Sequence, residues 1–146
     1  MLRLLSCLLL ILVAGCGVRD PSMPELVTVT GTVTLDGKPL PGAILTFLPT
    51  DEKQGGGAVG FTDAEGKYSL QTVHGGEGSP RGLFRVAISK MVMPDGSDIP
   101  LGSNIDEMEV GTREKLPEKY SSVDLTELDA NVPQDGGVVD FALTTK

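Results

Sequence analysis

Tryptophan is absent from this 146-residue chain, and tyrosine, phenylalanine and histidine occur two, four and one times. With only Tyr68 and Tyr120 beside four phenylalanines, and a core to fill, little is left for the aromatic platforms that carbohydrate binding relies on. The single histidine, His74, excludes metal centres built from several histidines. Lys+Arg total 12 against 20 for Asp+Glu, a formal net charge of −8. That balance argues against nucleic acid, whose phosphates require a basic footprint, and against purely electrostatic adhesion to anionic lipid. No serine sits in a G-x-S-x-G elbow, and no internal repeat is visible.

Cysteine occurs twice, at positions 7 and 16. Met1-Leu2-Arg3 opens the chain with a positive charge, residues 4–14 are largely apolar, and Val13-Ala14-Gly15-Cys16 ends the run with small residues before a thiol. The apolar stretch is shorter than the about 20 residues a transmembrane helix takes, and small residues suit a signal peptidase. This start resembles the lipobox of bacterial lipoproteins. The resemblance implies a signal peptide over residues 1–15, lipidation at Cys16, and a membrane-anchored, extracytoplasmic protein of the cell envelope. Gly17 follows in place of an aspartate, so the choice of inner or outer membrane stays open. With Cys7 discarded and Cys16 acylated, no disulfide is left and the domain must hold together through its core. Residues 16–25, mostly polar and holding two prolines, read as a lipidated tether.

Beyond the tether, 19 glycines and 10 prolines in the whole chain mark many turns. In Val27-Thr28-Val29-Thr30-Gly31-Thr32-Val33-Thr34-Leu35 the apolar residues fall at every second place, which predicts a half-buried strand with valines inward. Gly31 takes an inward place and marks a bulge or a close neighbouring strand. Further strands are expected over residues 43–48 (Ala43, Leu45 and Phe47 inward), 59–62, 67–70, 82–89 (Phe84, Val86 and Ile88 on one face), 128–132 and 138–143. Between residues 91 and 122 the pattern fails, with a helical turn or two expected over 104–115. So long a loop is usually functional or mobile. The whole reads as an all-β, seven- or eight-stranded antiparallel β-sandwich over residues 26–146.

Val29-Thr30-Gly31-Thr32-Val33-Thr34-Leu35-Asp36-Gly37-Lys38-Pro39-Leu40-Pro41-Gly42-Ala43 resembles the opening of carboxypeptidase regulatory-like domains. Thr62-Asp63-Ala64-Glu65-Gly66-Lys67-Tyr68 and Gly82-Leu83-Phe84-Arg85-Val86 are similar to the second and third signatures of that family. Leu116-Pro117-Glu118-Lys119-Tyr120-Ser121 and Val139-Asp140-Phe141-Ala142-Leu143 resemble a subgroup of small bacterial lipoproteins built from this one domain. The resemblance implies a transthyretin-like (prealbumin-like), Ig-like sandwich without an established activity. One histidine departs from the similarly folded intradiol dioxygenases and hydroxyisourate hydrolases, which use several. The first strand lacks the lysine that adhesin domains with a Lys–Asn isopeptide bond carry there.

No catalytic constellation emerges, and no metal ligand is assigned. The expectation is a non-catalytic binding or structural module, held to the membrane through Cys16 and facing an envelope protein partner that the sequence does not identify. The partner surface is expected on residues 91–122, on the Gly55-Gly56-Gly57 loop, or along a sheet edge. Two alternatives stay open. A small hydrolase would gather His74, Arg81 and a carboxylate in one pocket. A calcium-stabilised adhesive module would converge the oxygens of Asp95, Ser97, Asp98, Asn104, Asp106 and Glu107.

Overall fold

Alternating valine and threonine separate onto opposite faces only in an extended chain. The computed structural model describes residues 24–146 and shows that separation, with Val29 and Val33 buried and Thr28 and Thr30 exposed. The expected lipobox, Cys16 and most of the tether lie outside the described residues.

The elements follow in chain order as β1 (Leu26–Val27), β2 (Val29–Leu35), β3 (Lys38–Pro39), β4 (Ile44–Pro49), a 3-10 turn (Glu52–Gln54), β5 (Ala58–Phe61), β6 (Lys67–Thr72), β7 (Ser79–Pro80) and β8 (Gly82–Ser89). There follow β9 (Met91–Val92), α1 (Glu107–Val110), β10 (Arg113–Glu114), α2 (Glu118–Ser121), β11 (Leu128–Val132), β12 (Gly137–Val138) and β13 (Phe141–Leu143). Among the described residues seven strands are three residues or longer, within the expected seven or eight; the others are two-residue pairings.

The main sheet runs β11-β8-β4-β5-β6-β2, with β12 and then β13 along the far side of β2. It curls at β6. The first half of β6 (Lys67, Tyr68, Ser69) pairs with β2, and its second half (Leu70, Gln71, Thr72) pairs with β5. The curl brings β4 and β8 over β2 and β13 and encloses one core. Phe47 sits at its centre, with ring centroids 5.8 Å from Phe84 and 6.1 Å from Phe141, in the tilted and edge-on arrangements aromatic rings favour.

Among the described residues, pairing between strands is antiparallel except along the far side of β2. β12 and β13 run parallel to β2, where an antiparallel partner was expected. Parallel neighbours need a crossover connection. The chain makes it over residues 133–136, passing from the edge of one layer to the edge of the other instead of returning as a hairpin. The strand expected over residues 138–143 is also interrupted. At Val139 and Asp140 a side chain enters the ladder, and the Thr32 N–H donates to the Asp140 carboxylate (2.7 Å).

Strand register fixes two ends. Pro49 lies opposite Phe84, Phe47 opposite Ala58 and Val132 opposite Gly82, so loops 50–57, 73–81 and 133–136 share one end. Pro24 and Leu26 arrive there, packed beside Gly55 and Gly76. Ile44 lies opposite both Phe61 and Ser89, so residues 36–43, 62–66 and the excursion after β8 share the other end.

Candidate functional site

The three sequence signatures serve the fold. Thr62 is buried, and its hydroxyl donates to the Leu40 carbonyl (2.7 Å) while accepting from the Ala43 N–H (2.8 Å). Asp63 Oδ1 accepts from the N–H groups of Glu65 and Lys67 and shapes the turn. Gly66 completes it at φ +73°, where a Cβ would stand 2.6 Å from the Val33 carbonyl oxygen. Gly82 holds φ +115° with the Gln54 amide against its Cα, and that amide donates to the Arg81 carbonyl (3.0 Å).

The segment expected to be irregular, residues 91–122, leaves β8 at the end opposite Pro24. β9 and β10 pair across its base and close it into a protrusion. Glu114 fastens this neck: its carboxylate accepts from the N–H groups of Lys90 (3.0 Å) and Leu116 (2.8 Å) and from the Ser89 hydroxyl. The return stretch is part of the core, with Leu116 and Tyr120 buried. The helical turn expected over residues 104–115 is α1.

Of the candidate calcium ligands, Asp95 with Ser97, Asp98 and Asp106 serve three different local contacts. Asp95 Oδ1 accepts from the Ser97 hydroxyl (2.6 Å) and N–H (2.9 Å), bonds that hold its carboxyl below the ordinary range. Asp98 faces the ammonium groups of Lys90 (3.5 Å) and Lys115 (3.7 Å). Asp106 accepts from the Glu109 N–H (3.2 Å). Among the described residues, no three His, Cys, Asp or Glu side chains form a group that could hold a metal ion.

Of the residues a hydrolase would gather, Arg81 meets a carboxylate and His74 lines a neighbouring recess. His74 is exposed beside Pro24, Leu26 and Gly56, and Arg81 lines a recess that shares Pro24 and Pro80 with it and pairs with Glu25 (2.7 Å). The Gly55-Gly56-Gly57 loop follows the 3-10 turn, which is closed by a reciprocal Asp51–Gln54 capping box. The D-x-x-Q spacing carried that signal in the sequence.

Sequence reasoning passed over the cleft at the far end. Gly42, Ile44, Phe61, Lys90, Ile99 and Leu101 line a recess of about 350 Å³ between the outer face of the sheet and the first part of the protrusion. Ile44, Phe61 and Leu101 are 39, 57 and 55% exposed, so this is an apolar surface open to solvent. Lys90, by contrast, is 2% exposed. Lys90 continues the inward places of Phe84, Val86 and Ile88, one residue beyond the strand expected over residues 82–89.

No protein-family model matches the chain, and no curated protein matches it in sequence. Among solved structures, a DUF3823 family protein from Parabacteroides merdae matches at 15% identity with a TM-score of 0.39. The match covers 84% of this chain and 46% of that one, so the chain spans about half the length of that protein.

Proposed function

We propose that this protein is a lipid-anchored, extracytoplasmic, non-catalytic binding or structural module of the cell envelope, built on one carboxypeptidase regulatory-like sandwich. The observation that carries the reading is the placement of the chain's arrival and of the protrusion at opposite ends. Pro24 comes in beside Gly55, while residues 91–122 leave β8 beyond Ser89, at the other end of the strands. A tether at Cys16 would hold the first end toward the bilayer and present the second, with its open apolar cleft, away from it. Loops at the end of a rigid sandwich are where binding surfaces commonly sit.

The test compares intact mass and detergent partitioning of the protein expressed in a bacterium with those of Cys16→Ser. The expected result is a detergent-phase protein carrying acyl mass, both lost in the variant. An unmodified, water-soluble product cleaved elsewhere overturns the anchor.

A further inference from the structure

The geometry points to the far-end cleft as a docking site for a polypeptide segment that offers a carboxylate next to an apolar side chain, with Lys90 as the cation that receives the carboxylate. The inference rests on the display of this end proposed above and names the chemistry of its partner.

Burying a lysine is costly unless its charge is matched. Here Lys90 is 98% buried as a residue and lines the cleft, with its Nζ seated under Gly42, where a Cβ would lie 2.9 Å away. Its anionic contact among the described residues is Asp98 Oδ1, at 3.5 Å. A charge-assisted N–H···O bond closes to about 2.7–2.9 Å, so this ammonium is held short of a full partner. Glu114, the nearby carboxylate, is bonded to the Lys90 backbone N–H. Asp98 also has an alternative, since Lys115 Nζ lies 3.7 Å from the same oxygen. An incoming carboxylate can take Lys90 and leave Asp98 paired with Lys115, so no charge is stranded by the exchange.

The apolar half of the specificity comes from the walls. Ile44 and Phe61 are cross-strand neighbours on the outer face of the sheet, and Leu101 stands on the opposite wall. At about 350 Å³ the recess is near the lower limit of small-molecule clefts. It continues onto the exposed sheet face instead of closing over, which suits a side chain and a carboxylate whose parent chain lies outside.

The experiment uses the whole chain carrying Cys16→Ser, so that lipid plays no part, and follows backbone amide shifts during titration. Three probes are compared: acetyl-leucyl-phenylalanine with its free carboxylate, the same dipeptide as its carboxamide, and acetyl-aspartyl-phenylalaninamide. The expected result is saturable shifts at Ile44, Phe61 and residues 99–103, with the uncharged dipeptide at least about tenfold weaker. The better of the two acids tells a chain terminus from an acidic side chain. Lys90→Met should abolish the preference for acid over amide, Phe61→Ser should weaken all three probes, and Asp98→Asn should tighten the acids about threefold by removing the competing anion. Equal binding of acid and amide overturns the proposal, as does an unchanged response in Asp98→Asn. Amide shifts at the cleft that follow protein concentration without peptide would assign it to a second copy of the chain and also overturn it. Failure here leaves the partitioning result untouched, and failure of the anchor leaves this titration untouched.

Discussion

Gly31 and Val139 are in such close contact that a Cβ at position 31 would stand 1.8 Å from the Val139 carbonyl oxygen. The same Cβ would lie 2.8 Å from the Tyr68 ring. The chain at Val139 is fixed by its own N–H bond to the Thr30 carbonyl (2.8 Å) and by the Tyr68 hydroxyl, so neither neighbour can yield cheaply. Overpacking a core costs about 1–3 kcal/mol and sometimes more. Gly31→Ala should fall at or above the top of that range, read as a lowered denaturant midpoint with an unchanged slope.

Tyr68 gives a pH signature. Its hydroxyl donates to the Val139 carbonyl (2.6 Å), and burial, then the nearby Asp140 charge, raises its pKa well above the ordinary value near 10. The folded state therefore holds the phenolic proton at pH values where the unfolded chain releases it. Stability is complete below the unfolded pKa and declines as pH rises past about 10. Tyr68→Phe should cost about 1 kcal/mol at neutral pH through the lost bond and flatten the alkaline decline, as measured by denaturation between pH 8 and pH 11.

Thr62 separates packing from hydrogen bonding. Thr62→Val keeps the shape but leaves the Ala43 N–H and the Leu40 carbonyl without their buried partner. A loss of about 2 kcal/mol is expected, because unsatisfied buried groups bear the desolvation cost. Thr62→Ser should recover most of it. Equal midpoints for the valine and serine variants would refute this role.

At the chain's end, Asp36 accepts from the hydroxyl (2.7 Å) and N–H (3.1 Å) of Thr145. These bonds lower its pKa from 3.8. A lowered carboxylate favours the docked tail above the unfolded pKa and lets go as pH falls through the folded one. The Thr145 amide shift should accordingly titrate below pH 3.8, and Asp36→Asn should remove that titration.

Much of this architecture was legible because period two is a strong signal. Ala43, Leu45, Phe47, Phe84, Val86 and Ile88 are buried as their alternation required, and the strand expected over residues 128–132 is β11. The parallel run of β12 and β13 was not legible, since alternation gives a strand's face and says nothing of its neighbour's direction. Asp140 looked like an ordinary outward residue, yet its carboxylate replaces a backbone acceptor for Thr32. The cleft escaped for a similar reason. Lys90 follows the inward places of β8, but alternation says nothing of the Gly42 turn and the Leu101 side chain that meet at its ammonium.

The two-ended layout has a mechanical meaning. β2 leaves the end where Pro24 arrives, and β8 leaves the other end toward the protrusion, so tension between tether and partner would draw the two strands in opposite directions along their lengths. Sheet hydrogen bonds lie across the strands, and a pull along the strands shears them side by side instead of unzipping them one by one. β2 is gripped on both flanks, by β6 and by β12 with β13. Single-molecule pulling between residue 24 and the protrusion should thus meet higher rupture forces than pulling between residues 24 and 134, which lie at the same end and load the β2–β12 pairing across the strands. The parallel closing strands make this small sandwich a strap, with β2 clasped on both flanks when its two ends are drawn apart.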